Sequence, residues 1–255
     1  YGKFEFRARV PHGKGLWPAI WLLPLVWSVN YIVARWAPGV VEPYTLACIR
    51  WGLAGLMLTA IARAELRSHL GHIAAHWQQY GVLGFCGMVV CGAWVYVGAQ
   101  STTAVNIALI YSAAPVLIGL GSVLWLGERM RWSQVAGLLM ALAGVLHVIV
   151  QGRWTALEEV RLVAGDAWIV AAMAAWALYA LLQRRWPSPL GSTARLAAIC
   201  WGGMPVLLAG MAWELAQPAT PPLTSKAWAL GIAAAIFPGV IAYWLYGWSQ
   251  KILGA

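Results

Sequence analysis

Polar residues arrive in short bursts along this chain, and between them run apolar stretches that repeatedly reach the length of a bilayer core. Eight stretches are legible, at approximately 17–36, 44–62, 80–99, 104–126, 133–151, 166–184, 193–213 and 227–248. Each is close to the ~20 residues an α-helix needs to cross a hydrocarbon layer. The pattern predicts an all-α membrane protein. Three linkers are longer than the rest: 63–79 is polar and His-containing, 152–165 carries Glu158 and Glu159, and 214–226 holds Pro218, Pro221 and Pro222.

The apolar stretches also repeat. Trp27-Ser28-Val29-Asn30-Tyr31, running to Arg35-Trp36, recurs as Trp176-Ala177-Leu178-Tyr179, running to Arg184-Arg185-Trp186. Val95-Tyr96-Val97-Gly98-Ala99-Gln100, ending at Ala104, recurs as Leu245-Tyr246-Gly247-Trp248-Ser249-Gln250, ending at Ala255. The offset is 149 to 151 residues and contains five spans. Five is odd, so the second copy enters the membrane upside down relative to the first. Inverted repeats form two halves that can rock about a central site, which is the basis of alternating access in secondary transporters.

Composition changes the picture mainly by excluding alternatives. Hydrophobic residues make up 62%, charged residues 10%, and the mean hydropathy is +0.70. Water-soluble domains are about half apolar and a quarter charged, so the surrounding medium here is lipid. Of 18 tryptophans, many sit at the ends of apolar runs, among them Trp36, Trp51, Trp132, Trp186, Trp213 and Trp228, where interfacial anchoring explains them. The net charge of +9 lies in basic pairs between spans and not in a patch interleaved with aromatics, which argues against nucleic acid. Four cysteines, Cys48, Cys86, Cys91 and Cys200, fall inside apolar runs without CxxC spacing and read as buried thiols.

Basic residues set the orientation. Arg63, Arg67, Arg129, Arg131, Arg184, Arg185 and Lys251 fall on one side, against Arg35, Arg153, Arg161 and Lys226 on the other. The seven-residue side is assigned to the cytoplasm of the inner membrane, with both chain ends there.

Polar groups inside lipid are expensive, so each is a candidate site residue. Trp27, Asn30 and Tyr31 lie mid-span, and their counterparts are Trp176 and Tyr179. Facing one another across a pseudo-two-fold axis, they would form an aromatic cavity with one amide, suited to amphipathic, aromatic or zwitterionic solutes. Packing is the alternative for the same spacing. Tyr111, Ser112 and Pro115 form a second set, because the proline frees a backbone carbonyl near 111. Pro238-Gly239, followed by Tyr243 and Trp244, is the matching weak point in the second half.

Arg50 either snorkels to the headgroups, meets a substrate carboxylate or serves as a structural counter-charge. Gln100, Asn106 and Asp166 read as helix-end groups, and Glu128 as a turn-fixing ion-pair partner of neighbouring basic residues. His69, His72 and His76 share one face of a short helix that reads as solvated, not metal-binding. The spacings Gly81/Gly84/Gly87, Gly119/Gly121 and Gly137/Gly144 suggest close helix packing. Without a phosphate-binding loop or dinucleotide fingerprint, no cofactor is expected. The partners expected are a small-molecule substrate and the bilayer, with homo-oligomerisation left open.

Ala114-Pro115-Val116-Leu117, Trp125-Leu126-Gly127-Glu128-Arg129, Ser133-Gln134-Val135-Ala136-Gly137 and Leu142-Ala143-Gly144-Val145 follow one another in the fourth and fifth spans. This order strongly resembles the EamA family of the drug/metabolite transporter superfamily, and Pro43-Tyr44-Thr45-Leu46, Arg50-Trp51 and Phe237-Pro238-Gly239 extend the likeness over about 25–255. The resemblance implies ten helices in two inverted five-helix halves and small-molecule transport, often export of metabolites or amino acids. Under it, 25–151 is the first repeat and 166–255 an incomplete second one, with about eight of the ten helices present.

Two stretches depart from that family. Ala255 aligns with Ala104, so counterparts of residues 104–151 are not in this sequence, and a truncated transporter is the expectation. Residues 1–24, from Tyr1-Gly2-Lys3-Phe4-Glu5-Phe6 to Gly15-Leu16-Trp17-Pro18, resemble a strand pair of family-sixteen glycoside hydrolases. Those enzymes use two carboxylates about 5–5.5 Å apart, displayed as Glu-x-Asp-x-x-Glu. No such run occurs here, so the leader reads as a foreign fragment and the chain as a non-enzyme. A non-transporting chimeric membrane fragment is the competing reading.

Overall fold

The computed structural model describes the backbone of residues 16–157 and 161–245, and side chains over 25–155 and 161–245. The expectations for residues 1–15, for Glu158 and Glu159, and for the repeat match over 246–255 lie outside these residues. Ten helices are described: α1 (Leu16–Trp36), α2 (Pro43–Ile61), α3 (Arg63–Ser68), α4 (Leu70–Ala75), α5 (Trp77–Ala99), α6 (Ala104–Leu124), α7 (Trp132–Ile149), α8 (Ala164–Arg185), α9 (Ser192–Leu215) and α10 (Ser225–Leu245). Seven of them, α2 and α5 to α10, are long and apolar enough to span a bilayer, and α1 adds 21 residues at the expected position of the first span. The stretch 16–24, which resembles a hydrolase strand, is helical here and opens α1.

The contacts between helices obey a two-fold exchange that pairs α1 with α8, α2 with α9 and α5 with α10. Helix α5 packs on α8 as α10 packs on α1, α9 packs on α5 as α2 packs on α10, and α2 and α9 pack along each other. Helices α5 and α10 both widen into π-helical turns, at Phe85–Trp94 and Ala235–Ile241, an offset of 150 residues. π turns carry one residue more per hydrogen-bonded ring than α-helix and cluster at functional sites. Pro238 falls within the second of them, where the missing N–H makes regular α-helix costly.

The core lies at the α2–α9–α5 junction, where Leu46, Trp51, Leu58, Leu83, Met88, Ile199 and Leu207 are almost completely buried. Trp51 is therefore a core residue and not the interfacial anchor its place in the sequence suggests, whereas Trp36, Trp132 and Trp213 remain exposed. Small residues allow α5 and α9 to meet: a Cβ on Gly203 would lie 2.8 Å from Gly84 O and 3.0 Å from Met88 Cβ. Gly137 and Gly144 differ from expectation, since a Cβ on either meets nothing within 4 Å among the described residues. They lie on α7, none of which is buried, and α6 is only 17% buried against 44–67% for the other candidate spans.

Helix ends are tied by polar groups. Glu214, at the end of α9, accepts from Tyr44 N (2.8 Å), Thr45 N (2.7 Å) and Thr45 Oγ1 (2.8 Å) at the start of α2. In the reciprocal position Glu65, on α3 beyond the end of α2, accepts from Gly191 N at the start of α9. Asp166 accepts from Thr102 Oγ1, from Asn106 Nδ2 (2.8 Å) and from Val163 N (2.8 Å), which gives Asn106 and Asp166 the helix-end role read from sequence. Glu128 takes Arg184 at 2.8 Å as its ion-pair partner, a residue of the other repeat and not its neighbour Arg129. Gly127 turns the chain between α6 and α7 at φ +70°, a conformation that favours glycine. The polar linker 63–79, where one short helix is expected from the histidine spacing, forms α3, α4 and the first turn of α5, with His72 and His76 stacked at 4.2 Å.

Candidate functional site

A cavity of about 200 Å³ sits among the helices. From the N-terminal half α1 supplies Trp27, Asn30 and Tyr31, α2 supplies Arg50 and Trp51, α5 supplies Cys91 and Val95, and α6 supplies Tyr111. From the C-terminal half α8 supplies Trp176 and α10 supplies Tyr243. Seven of the ten candidates chosen from sequence thus line one space.

The aromatic part is a cage of perpendicular rings. Trp27 meets Trp176 and Tyr243 edge to face, each at 6.0 Å, and Trp176 meets Tyr243 at 6.3 Å. Trp51 closes the floor against Tyr243 at 5.5 Å. Edge-to-face rings separated by 4.5–7 Å attract one another, so the walls hold their shape without a ligand.

The polar part is a closed triangle. Asn30 Oδ1 accepts from Arg50 Nη1 at 2.8 Å and from Tyr96 Oη at 2.7 Å, while Tyr96 Oη accepts from Arg50 Nη1 at 3.0 Å. Arg50 Nη2 reaches Pro238 O at 3.5 Å, and its Cζ lies 4.4 Å from the Trp51 ring centroid. Arg50 is 4% exposed and points inward, so the snorkelling alternative does not describe it. Nε of Arg50 and Nε1 of Trp51 are buried and have no hydrogen-bond partner among the described residues.

Three candidates do not line this space. Tyr179 is buried beneath it, stacked on Trp176 at 5.6 Å. Ser112 donates to Leu109 O at 2.6 Å, next to the helix break at Ala113. Trp244 is 52% exposed on the outer side of α10. Trp51, Cys91, Val95 and the supporting Tyr96 are the residues that sequence reasoning missed. Among the described residues, no three His, Cys, Asp or Glu side chains gather into a group that could hold a metal ion.

Residues 17–150, more than half of the chain, match the EamA-like transporter family. The chain belongs to that family. It is 30% identical over 169 residues to the uncharacterized transporter YyaM of Bacillus subtilis, covering 65% of this chain and 55% of that one. It is 28% identical over 160 residues to the "Probable terminal-alkyne amino-acid exporter" of Streptantibioticus cattleyicolor, covering 58% and 50%. The chain thus spans about half the length of these curated relatives. A crystal structure shares the fold over 91% of this chain and 78% of its own, with a TM-score of 0.65 at 22% identity. A separate stretch of 24 residues is 71% identical to the beta-glucanase of Rhodothermus marinus, 9% of this EamA chain and 8% of that enzyme.

Proposed function

We propose that the protein is a secondary transporter that exports small amphipathic metabolites across the cytoplasmic membrane by alternating access, without enzymatic chemistry. The observation that carries this reading is the central cavity, whose walls come from helices of both the N-terminal and the C-terminal half of the chain, the halves read as inverted repeats from the sequence. A site shared by two halves is exposed to one face or the other as the halves rock, without moving the site itself. The paired π turns flank it: Phe85–Trp94 contains Cys91, and Ala235–Ile241 ends two residues before Tyr243. Single π turns inside α-helices recur at functional sites. The export direction and the amino-acid-like solute class draw on the printed name of one relative and on the excess of basic residues assigned to the cytoplasmic side.

The test is solute flux in vesicles carrying the protein, using a panel of labelled amino acids and aromatic amino-acid derivatives. Trp176→Ala or Asn30→Ala should lower flux severalfold at unchanged membrane insertion. Unchanged flux in Trp27, Asn30, Tyr31 and Trp176 variants alike would return these residues to packing and overturn the assignment.

A further inference from the structure

Arg50 poses a charge problem that the rest of the fold does not solve. A guanidinium remains protonated in proteins, and a buried charge without a counter-charge is among the costlier features a structure can carry. At 4% exposure Arg50 reaches neither headgroups nor bulk water. Among the described residues the only ion pair joins Arg184 to Glu128, so no carboxylate neutralises Arg50. Its partners are all neutral: Asn30 Oδ1, Tyr96 Oη and the carbonyl of Pro238.

The way those partners are spent is informative. Among the described residues, Nη1 makes both short bonds, Nη2 has a single contact at 3.5 Å, and Nε has none. Nε and Nη2 share one edge of the guanidinium plane, the edge whose two parallel N–H groups match a carboxylate. Asn30 commits its oxygen to Arg50 and Tyr96 together, which leaves its amide NH₂ as the group it can offer a ligand. The cavity therefore combines an uncompensated cation and an amide donor with the apolar faces of Trp27, Trp176 and Tyr243.

We infer that Arg50 is the anchor for an anionic head group, and that the solute class is an amphipathic carboxylate whose apolar body lies in the aromatic cage. Asn30 and Tyr96 are positioning residues that hold the guanidinium by its Nη1 end and leave, on the opposite edge, Nε without a partner among the described residues and Nη2 with one long contact to Pro238 O. This rests on the reading of the cavity as a solute site and adds the charge of the solute to it. The carboxylate supplies the counter-charge that the fold lacks, so it gains more from Arg50 than a neutral analogue of the same shape.

The experiment is equilibrium binding to the full chain in lipid nanodiscs, with radiolabelled indole-3-acetate as probe and indole-3-acetamide and tryptamine as neutral and cationic competitors of similar size. The acid should bind on the order of tenfold tighter than the amide, and the amine weakest of the three. Arg50→Gln should bring the acid down to the level of the amide and leave the amide within about twofold, whereas Arg50→Lys should keep part of the preference. Equal binding of acid and amide by the unaltered protein, which needs no variant to fold, overturns the anion assignment and leaves the solute site standing. A preserved acid preference in Arg50→Gln removes Arg50 from the role. Absence of binding by all three probes counts against the solute site itself, and the inference falls with it.

Discussion

Glu214 offers a sharp quantitative test of how the two repeats are held together. Its carboxylate is 4% exposed and accepts three hydrogen bonds of 2.7–2.8 Å, two from backbone amides in the first turn of α2 and one from the Thr45 hydroxyl. Those amides are donors for which an α-helix provides no internal partner, and they carry the positive end of the helix dipole. In Glu214→Gln one oxygen remains, while the new NH₂ group confronts a donor it cannot satisfy. An unsatisfied buried donor costs about 1–3 kcal/mol, and loss of the charge–dipole interaction adds about 0.3–2 kcal/mol. Relief of carboxylate desolvation offsets part of this. The net expectation is about 3 kcal/mol, on the order of 10 °C in Tm for a chain of this length.

Glu65→Gln is the internal control. Glu65 is half-buried and among the described residues accepts only from Gly191 N, so a glutamine oxygen can take over and the cost stays within about 0.5 kcal/mol. The assay is thermal unfolding in detergent, followed by loss of the monodisperse chromatographic peak. A Glu214→Gln protein that melts no lower than Glu65→Gln would refute the role given to the buried carboxylate.

Further expectations concern packing and pH. Gly203→Val should destabilise by about 1–3 kcal/mol, because the new side chain meets Gly84 O and Met88, whereas Gly144→Ala, with nothing within 4 Å, should be neutral or gain up to ~1 kcal/mol of helix propensity; the same thermal assay ranks them. His72, on α4 outside the spans, is held below the ordinary imidazole value of 6.5 by partial burial, then by His76 and His69. A depressed folded-state pKa contributes stability above pH ~6.5 and loses it as pH falls through the lower value. Acidification should therefore loosen the α4–α5 junction, seen as lower amide protection factors over 69–80 once the pH dependence of intrinsic exchange is divided out, and a His72 resonance titrating at or above 6.5 would contradict this.

Much of the architecture was legible because lipid imposes a simple rule: membrane-length apolar runs become helices. The 150-residue offset then gave the two-fold relation that the helix contacts obey. The centre of the site was legible for a related reason, since Trp27, Asn30, Tyr31 and Trp176 sit mid-span on unbroken α-helix, where a period of 3.6 holds. It failed where that period fails. The π turns of α5 shift the phase of everything after Phe85, so Cys91 and Val95 reach the cavity unannounced. In α10 Tyr243 lines the cavity while its neighbour Trp244, about 100° further round the helix, is exposed. Trp51 was hidden by its setting, because a tryptophan beside an arginine reads as an interface pair until the inward turn of Arg50 is known. Ser112 was chosen for its nearness to Pro115, yet the break at Ala113 lets its hydroxyl bond back to Leu109 O.

The central claim is that one cavity, shared by both repeats, is open alternately to the two faces of the membrane. Cys91 reports on it without any engineered residue, since it lines the cavity and is only half-buried, while Cys48, Cys86 and Cys200 are buried. The measurement is labelling of the protein in sealed vesicles by a membrane-impermeant methanethiosulfonate, added from the outside or trapped inside. The account predicts slow modification of Cys91 from either side, and protection when the cavity is occupied. Modification from one side only, at every condition that supports flux, would contradict it.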